Sequence, residues 1–332
     1  MARGGREAAV GETGTDAAGR RRTPVALTIA GADSGGGAGI QADLKAFARC
    51  GVHGTSAITA ITAQNTLGVT AIHQVPPEIV LAQVRAVLAD IGADAVKVGM
   101  LGSAQITLAV AHALDELPAG TPVVVDPVMV AESGARLLDE DAQGALIAEI
   151  VPRASVLTPN LPEARVLAGL PPRASGARTG PGEGQGKDEE EEEARELARA
   201  VLALGPGAVV LTGGHRGRAV DLLLERSPSD RWGEPSVRRG GASRRGSEAN
   251  DRASDPQIVE IPGERHRDGA AHGSGCTHSA VLTARLALGD TTLQAARVAR
   301  SLAGEAIAKG LRDVGAGAGP VDVLGLERMR GS

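Results

Sequence analysis

From Val25 onward the chain alternates two kinds of hydrophobic pattern. Short runs rich in β-branched residues read as strands: VALTIAG, GTSAITAIT, VTAIHQV, AVKVGM, PVVVDPVMV, SVLTPN, GAVVLTGGH, RAVDLLLE and IVEIP. Between them lie Ala- and Leu-rich segments with helical spacing, IQADLKAFARCG, PEIVLAQVRAVLADIG and ITLAVAHALDEL, and a helix opened by Pro162. Nearer the C-terminus, CTHSAVLTARLALG and TLQAARVARSLAGEAIAKG predict two more helices, the second with Ala295, Val298, Leu302 and Ala306 on one face. Strands separated by helices of this length form βαβ units, so the pattern predicts an α/β protein of three layers, α/β/α, around a mostly parallel central sheet.

Four stretches break the rhythm. Residues 1–22 are Gly, Ala, Arg and Glu without periodicity and read as a disordered tail, and 326–332 as a short C-terminal tail. Within the single domain expected over 23–325, two low-complexity insertions are expected near 171–190 and 227–256. The first passes from Gly/Pro-rich to strongly acidic ahead of a helix, and the second is Arg, Ser, Gly and Asp with almost no aliphatic residues. Neither composition buries enough apolar area to offset the entropy of ordering it. The acidic run reads as a solvated first helical turn, where carboxylates complement the helix dipole.

Composition narrows the partners. With 42% hydrophobic residues among 332 there is ample material for a core, but aromatics are 1%, so Ala, Val, Leu and Ile must build it. A net charge of −5 and the scarcity of stacking rings argue against nucleic acid and for a small-molecule partner. Cys50 and Cys276 stand far apart without metal-ligand spacing, which indicates a reducing, cytoplasmic setting and no structural zinc. No run reaches the roughly 20 apolar residues of a membrane span.

Chemistry concentrates in two glycine clusters and two carboxylates. Gly273, Ser274, Gly275 and Cys276 precede a helix whose first N–H groups lack intrahelical partners, so the turn can cradle an anion and would draw the Cys276 thiol toward thiolate. The bland alternative is a plain turn with a buried cysteine. AGADSGGGAGIQADLKAF, after the first strand, lacks the spacing of a dinucleotide fingerprint, and its polar residues Asp33 and Asp43, with Gln64, suit a small polar heterocycle better. Asp126 ends an apolar strand, where open α/β sheets bind ligands. Asn160 and Glu163, three apart at a helix start, can serve hydrated magnesium or form a capping box. His53, His215, His272 and His278 have no metal spacing and read as ordinary polar contacts.

Seven motifs taken in order, ALTIAGADSGGGAGIQADLKAF, AITAQNT, VKVGML, VVVDPVM, LTPNLPEA, GGH and HGSGCTHSA, resemble the bifunctional hydroxymethylpyrimidine/phosphomethylpyrimidine kinases of thiamine biosynthesis, in the ribokinase-like family. The resemblance covers roughly Pro24 to Val323 without the insertions. It implies ATP-dependent phosphorylation of 4-amino-5-hydroxymethyl-2-methylpyrimidine to its monophosphate, then to the diphosphate. Gly273, Ser274 and Gly275 would hold the transferring phosphate, and Cys276 would be the base facing the substrate hydroxyl. Gln64, Asp43, Ala38 and Met100 would form the pyrimidine pocket. Asp126 and Glu163 would organise Mg²⁺, with Asn160, Thr212 and Gly214 at the nucleotide. A homodimer is implied as well.

This chain departs from the family pattern in places. Thr212 stands where the family commonly has Lys before GGH, so either Lys97 or a monovalent cation would have to supply the missing charge. Glu132 replaces a frequent lysine, and Ala270 and Ala271 a usual polar pair. The alternatives are a pyridoxal- or pyridoxine-type vitamin kinase of the same fold and a non-catalytic pyrimidine-binding homologue.

Overall fold

The computed structural model describes residues 22–129, 138, 140–171, 185–213, 219–226, 256–266 and 270–326. Residues 1–21 of the N-terminal tail, 327–332 of the C-terminal tail, most of both expected insertions, Glu132, Gly214 and His215 lie outside the described residues.

Nine strands form one sheet in the order β3-β2-β1-β4-β5-β6-β7-β8-β9. They are β1 (Val25–Asp33), β2 (His53–Asn65), β3 (Gly68–Gln74), β4 (Ala95–Val98), β5 (Val123–Val125), β6 (Val156–Leu157), β7 (Ala208–Leu211), β8 (Val220–Glu225) and β9 (Ile258–Pro262). The pairs β1–β2, β1–β4, β4–β5, β5–β6 and β6–β7 are parallel, as the βαβ rhythm requires. Where a strand follows its neighbour without a helix the pairing is antiparallel, as in β2–β3 and β7–β8, and β9 is antiparallel to β8.

Two of the apolar runs yield strands shorter than their pattern suggests. PVVVDPVMV is a strand only over Val123–Val125 and SVLTPN only over Val156–Leu157. Each runs into an X-Pro pair, Asp126-Pro127 and Thr158-Pro159, where proline offers no donor to the ladder. The chain therefore leaves the sheet just where Asp126 and Asn160 are needed.

Helices cover both faces. On one lie α1 (Gly39–Arg49), α7 (Ser274–Ala287) and α8 (Thr292–Ala308), around a cluster that includes Phe47, Val281 and Leu282. On the other lie α2 (Pro77–Asp90), α3 (Ala104–Asp115), α4 (Glu140–Ala145), α5 (Leu161–Leu167) and α6 (Gln185–Ala203), over a cluster that includes Val84, Val110, Leu161 and Val201. Among the described residues no helix is long and apolar enough to cross a membrane.

The structure amends three expectations about these helices. The acidic run belongs to α6, which begins at Gln185, inside the stretch expected as an insertion, because Glu is a good helix former. The pattern gave no sign of α4, which loosens into a π turn over Leu146–Ile150 and a 3-10 turn over Val151–Arg153. On α8 the fully buried stripe is Ala295, Ala296, Ala299, Ala303 and Ala306, with Val298 and Leu302 only partly buried beside it. Alanine at the contact brings α7 and α8 close together.

Candidate active site

The parallel strands β1, β4, β5, β6 and β7 all deliver their carboxyl ends to one cleft of about 220 Å³. Its wall includes Ala38, Gln64, Met100, Asp126, Asn160, Glu163, Thr212, Gly273, Ser274, Gly275 and Cys276. Eleven positions scattered over the sequence thus meet at the place where open α/β sheets bind ligands.

The first glycine cluster is organised by Asp33, at the end of β1. Its Oδ1 accepts the Gly35 N–H at 2.8 Å, and its Oδ2 accepts those of Gly37 at 2.9 Å and Ala38 at 2.8 Å. Burial raises this carboxyl, but hydrogen bonds from His272 and from the Ala38 and Gly35 amides outweigh it, and the group sits below the ordinary carboxylate range. Asp33 is therefore engaged by its own loop and by His272, while it still lines the cleft.

The second cluster starts α7. Gly273 caps the helix with φ 81°, a left-handed conformation, and a Cβ there would collide with the Gly37 carbonyl oxygen. The two glycine loops are consequently in backbone contact.

Beneath them lies a buried charge network. Lys97 on β4 is fully buried, with Nζ 2.7 Å from Asp43 Oδ1 and 3.9 Å from Asp126 Oδ2. The other Asp43 oxygen accepts the Thr28 hydroxyl at 2.6 Å. Asp43 is itself fully buried and is not part of the cleft wall, so the expectation that it shapes the pyrimidine pocket is corrected: it holds Lys97 from behind. Asp43 is raised by burial, with Lys97 pulling the other way, whereas Lys97 is raised because its carboxylate neighbours outweigh the burial. A buried pair of this kind is costly to break, by about 3–5 kcal/mol, since either partner alone is an uncompensated charge.

Asp126 accepts the Ser279 hydroxyl from α7 at 2.8 Å. Cys276 opens partly onto the cleft, yet the packing around its sulfur pushes the thiol up to about 12; Lys97 and the Gly39 amide oppose this, and the charges of Asp126 and Asp43 reinforce it. The expected thiolate is thereby corrected. The helix start does favour negative charge, but burial and two carboxylates outweigh it, and the cysteine rests protonated.

Asn160 and Glu163 form a full capping box at α5: Asn160 Oδ1 accepts the Glu163 N–H at 2.9 Å and Glu163 Oε2 accepts the Asn160 N–H at 2.9 Å. The structural reading of the pair therefore holds, and both residues still line the cleft. Although Glu163 is partly open to that cleft, burial and then the charge of Asp126 push it up to about 8. Two carboxylates that repel across a cleft are a donor set suited to a hard divalent cation, which uses one or two carboxylates and takes its remaining oxygens from phosphates and water. Among the described residues no group of three or more His, Cys, Asp or Glu side chains could hold a metal without such help.

At one end, the Gln64 backbone is fastened by Ser34, whose hydroxyl donates to the backbone carbonyl at 2.7 Å and accepts the backbone N–H at 2.8 Å, while the side-chain Oε1 lies 3.2 Å from a Thr62 hydroxyl that also reaches the Ala32 carbonyl at 2.9 Å. At another, the Gly213 N–H donates to Asp221 Oδ1 at 2.7 Å, and His278 Nε2 lies 3.1 Å and Arg300 Nη1 3.7 Å from that buried carboxylate. Sequence reasoning missed this trio. Its one signal was an aspartate inside the apolar run AVDLLL.

The same fold occurs in solved kinases. The pyridoxal kinase from Staphylococcus aureus in complex with ADP superposes with a TM-score of 0.71 at 28% identity, covering 93% of this chain and 96% of that one. The phosphomethylpyrimidine kinase from Clostridium difficile gives 0.62 at 33% identity, covering 84% and 96%. Fold and cleft together define a ribokinase-like small-molecule kinase. The phosphomethylpyrimidine kinase profile matches residues 33–243 and 237–322. The hydroxymethylpyrimidine/phosphomethylpyrimidine kinase of Rhizobium meliloti is 42% identical over 301 residues, spanning 90% of this chain and 96% of the relative, and that of Haemophilus influenzae is 38% identical over 303 residues. The chain belongs to the phosphomethylpyrimidine kinase family.

Proposed function

We propose that the chain transfers the γ-phosphoryl group of ATP to the hydroxymethyl oxygen of 4-amino-5-hydroxymethyl-2-methylpyrimidine, and a second one to the resulting monophosphate. The observation that carries this reading is the meeting of the Gln64 amide with the Gly273–Cys276 turn and Asp126 in one cleft. The pyrimidine would lie against Gln64, Ala38 and Met100. Its hydroxymethyl group would face Cys276, and the migrating phosphoryl group the turn of Gly273, Ser274 and Gly275, in which the Ser274 N–H is already given to the Ala271 carbonyl at 3.0 Å. Phosphoryl transfer needs positioning and neutralised charge more than covalent chemistry, and fixed backbone donors supply both.

Asn160, Thr212 and Gly214 would meet the nucleotide, and Asp126 with Glu163 would hold Mg²⁺, which when bound neutralises phosphate charge. Lys97 is committed to Asp43 and Asp126, so a monovalent cation is the better candidate for the charge that Thr212 does not carry. In the first transfer the minor thiolate form of Cys276 would take the alcohol proton as the new O–P bond forms and the bond to ADP breaks. In the second the acceptor oxygen already carries negative charge, and no proton need leave. The enzyme would be cytoplasmic and homodimeric.

A second acceptor is favoured by one observation: the pyridoxal kinases superpose better than the phosphomethylpyrimidine kinase does, with TM-scores of 0.70 and 0.71 against 0.62. A coupled ADP assay offered the hydroxymethylpyrimidine, its monophosphate, pyridoxal and hydroxyethylthiazole, in potassium or tetramethylammonium salts, tests the reading. ADP release should be fastest with the two pyrimidines, smaller with pyridoxal, and dependent on potassium. Binding of the pyrimidine without ADP release would leave a non-catalytic binder instead.

A further inference from the structure

We propose that His272 is a positioning residue that latches the phosphate-holding turn onto the loop closing the acceptor pocket. The inference rests on the reading that Gly273–Cys276 holds the migrating phosphoryl group.

His272 immediately precedes that turn, is 9% exposed, and sits 239 residues from Asp33 in the chain, yet its Nε2 is 3.1 Å from Asp33 Oδ2. That same oxygen accepts the N–H groups of Gly37 and Ala38, so a single carboxylate oxygen joins the histidine before one glycine loop to the backbone of the other. The contact is close along its whole length: a Cβ at Gly37 would strike the imidazole, and one at Gly273 would strike the Gly37 carbonyl. From the far side the histidine is fixed by its own backbone, whose carbonyl accepts the Val321 N–H at 3.1 Å beside a bridge to Pro320.

Through these bonds the acceptor side, marked by Ala38, and the donor side, marked by Gly273, are held in one register. His272 need touch neither substrate to do this. The cost of losing it falls on the distance between acceptor oxygen and phosphorus rather than on the grip on either molecule, and a misplacement of about 1 Å can cost on the order of 10²-fold in rate.

Two replacements separate this role from mere packing. His272→Gln keeps a side-chain N–H donor for Asp33, and His272→Leu keeps bulk without one. With thermal midpoints measured alongside, His272→Leu should lower kcat by about 10- to 100-fold while KM for ATP and for the hydroxymethylpyrimidine stays within about threefold, and His272→Gln should restore most of kcat. Equal kcat in the wild type and the Leu variant, equal losses in the Gln and Leu variants, or a rise in KM that accounts for the loss would each overturn the latch. If the wild-type chain itself releases no ADP, the proposed function falls, and the latch with it. Wild-type turnover with an unaffected Leu variant removes the latch alone.

Discussion

Cys276 shows how far a residue's chemistry depends on its neighbours. The motif places it at a helix start, where a thiol is expected to ionise readily, but burial and the charges of Asp126 and Asp43 carry it from an ordinary 9.0 to about 12. Below that value the thiolate fraction rises about tenfold per pH unit. The rate of the alcohol step should therefore climb with pH from neutrality upward, while the monophosphate step, whose acceptor is already ionised, should not share that climb. Cys276→Ala should cut the alcohol step by about 10²- to 10⁴-fold and the monophosphate step far less. Separate progress curves with each acceptor check both statements, and equal losses would remove the cysteine as the base. Glu163 allows a test that needs no turnover. Its folded value of about 8 lies above the ordinary 4.5, so between those values the unfolded chain gives up a proton that the folded chain keeps, and stability falls as pH rises through that window. Glu163→Gln should accordingly raise the thermal midpoint near about pH 8 and leave it unchanged near about pH 4, where both states are protonated. Mg²⁺ should raise the midpoint of the wild type near about pH 8 more than that of the Gln variant.

At the scale of elements, what could be read in the sequence was type and order, because period and length are local properties. Every strand and helix named from the hydrophobic pattern exists, including the buried VVV run and the helix around Cys276, which begins two residues earlier, at Ser274. Strand direction was not legible for β3 and β8, since it is set by whether the connection is a short turn or a crossover helix. Strand length was legible only in hindsight, from the prolines behind Asp126 and Thr158. The two glycines of the Gly273–Cys276 turn, alike in sequence, are unlike in structure. Gly273 has φ 81° and no room for a Cβ, whereas Gly275 is an ordinary helical residue with nothing within 4 Å of where a Cβ would stand. Gly273→Ala should lower stability by about 1–3 kcal/mol or more, from left-handed strain and the clash with Gly37, while Gly275→Ala should leave the thermal midpoint level or slightly higher. Thermal denaturation of the two variants side by side checks this, and equal midpoints would contradict it.

For the molecule as a whole, one end of the sheet carries apolar side chains into water. The β2–β3 hairpin at the end of the sheet exposes Ile61 by 53%, Leu67 by 68% and Ile72 by 45%. An edge strand with apolar side chains facing water favours pairing with another copy. The hairpin also carries Gln64, and Thr66 at its turn takes the Gly317 N–H on its hydroxyl at 3.2 Å, so a partner seated there would steady the acceptor end of the cleft. Replacing Leu67 and Ile72 together by Ser should turn the proposed homodimer into a monomer in sedimentation equilibrium. A double variant that stays dimeric would place the interface elsewhere.

The sequence by itself determined the α/β layering, the order of the elements and most of the residues that line the cleft, because periodicity, turn chemistry and ordered motifs all act over short stretches of chain. Only the tertiary structure decided what those residues could do. It set Asp43 behind Lys97 instead of against the ligand, made Asp33 a clasp for two loops, gave Asn160 and Glu163 a capping role beside any other, and left Cys276 protonated. Each of these turns on which charges and donors stand within a few ångströms across the sheet, and such separations arise from folding contacts between positions as distant in sequence as Asp33 and His272.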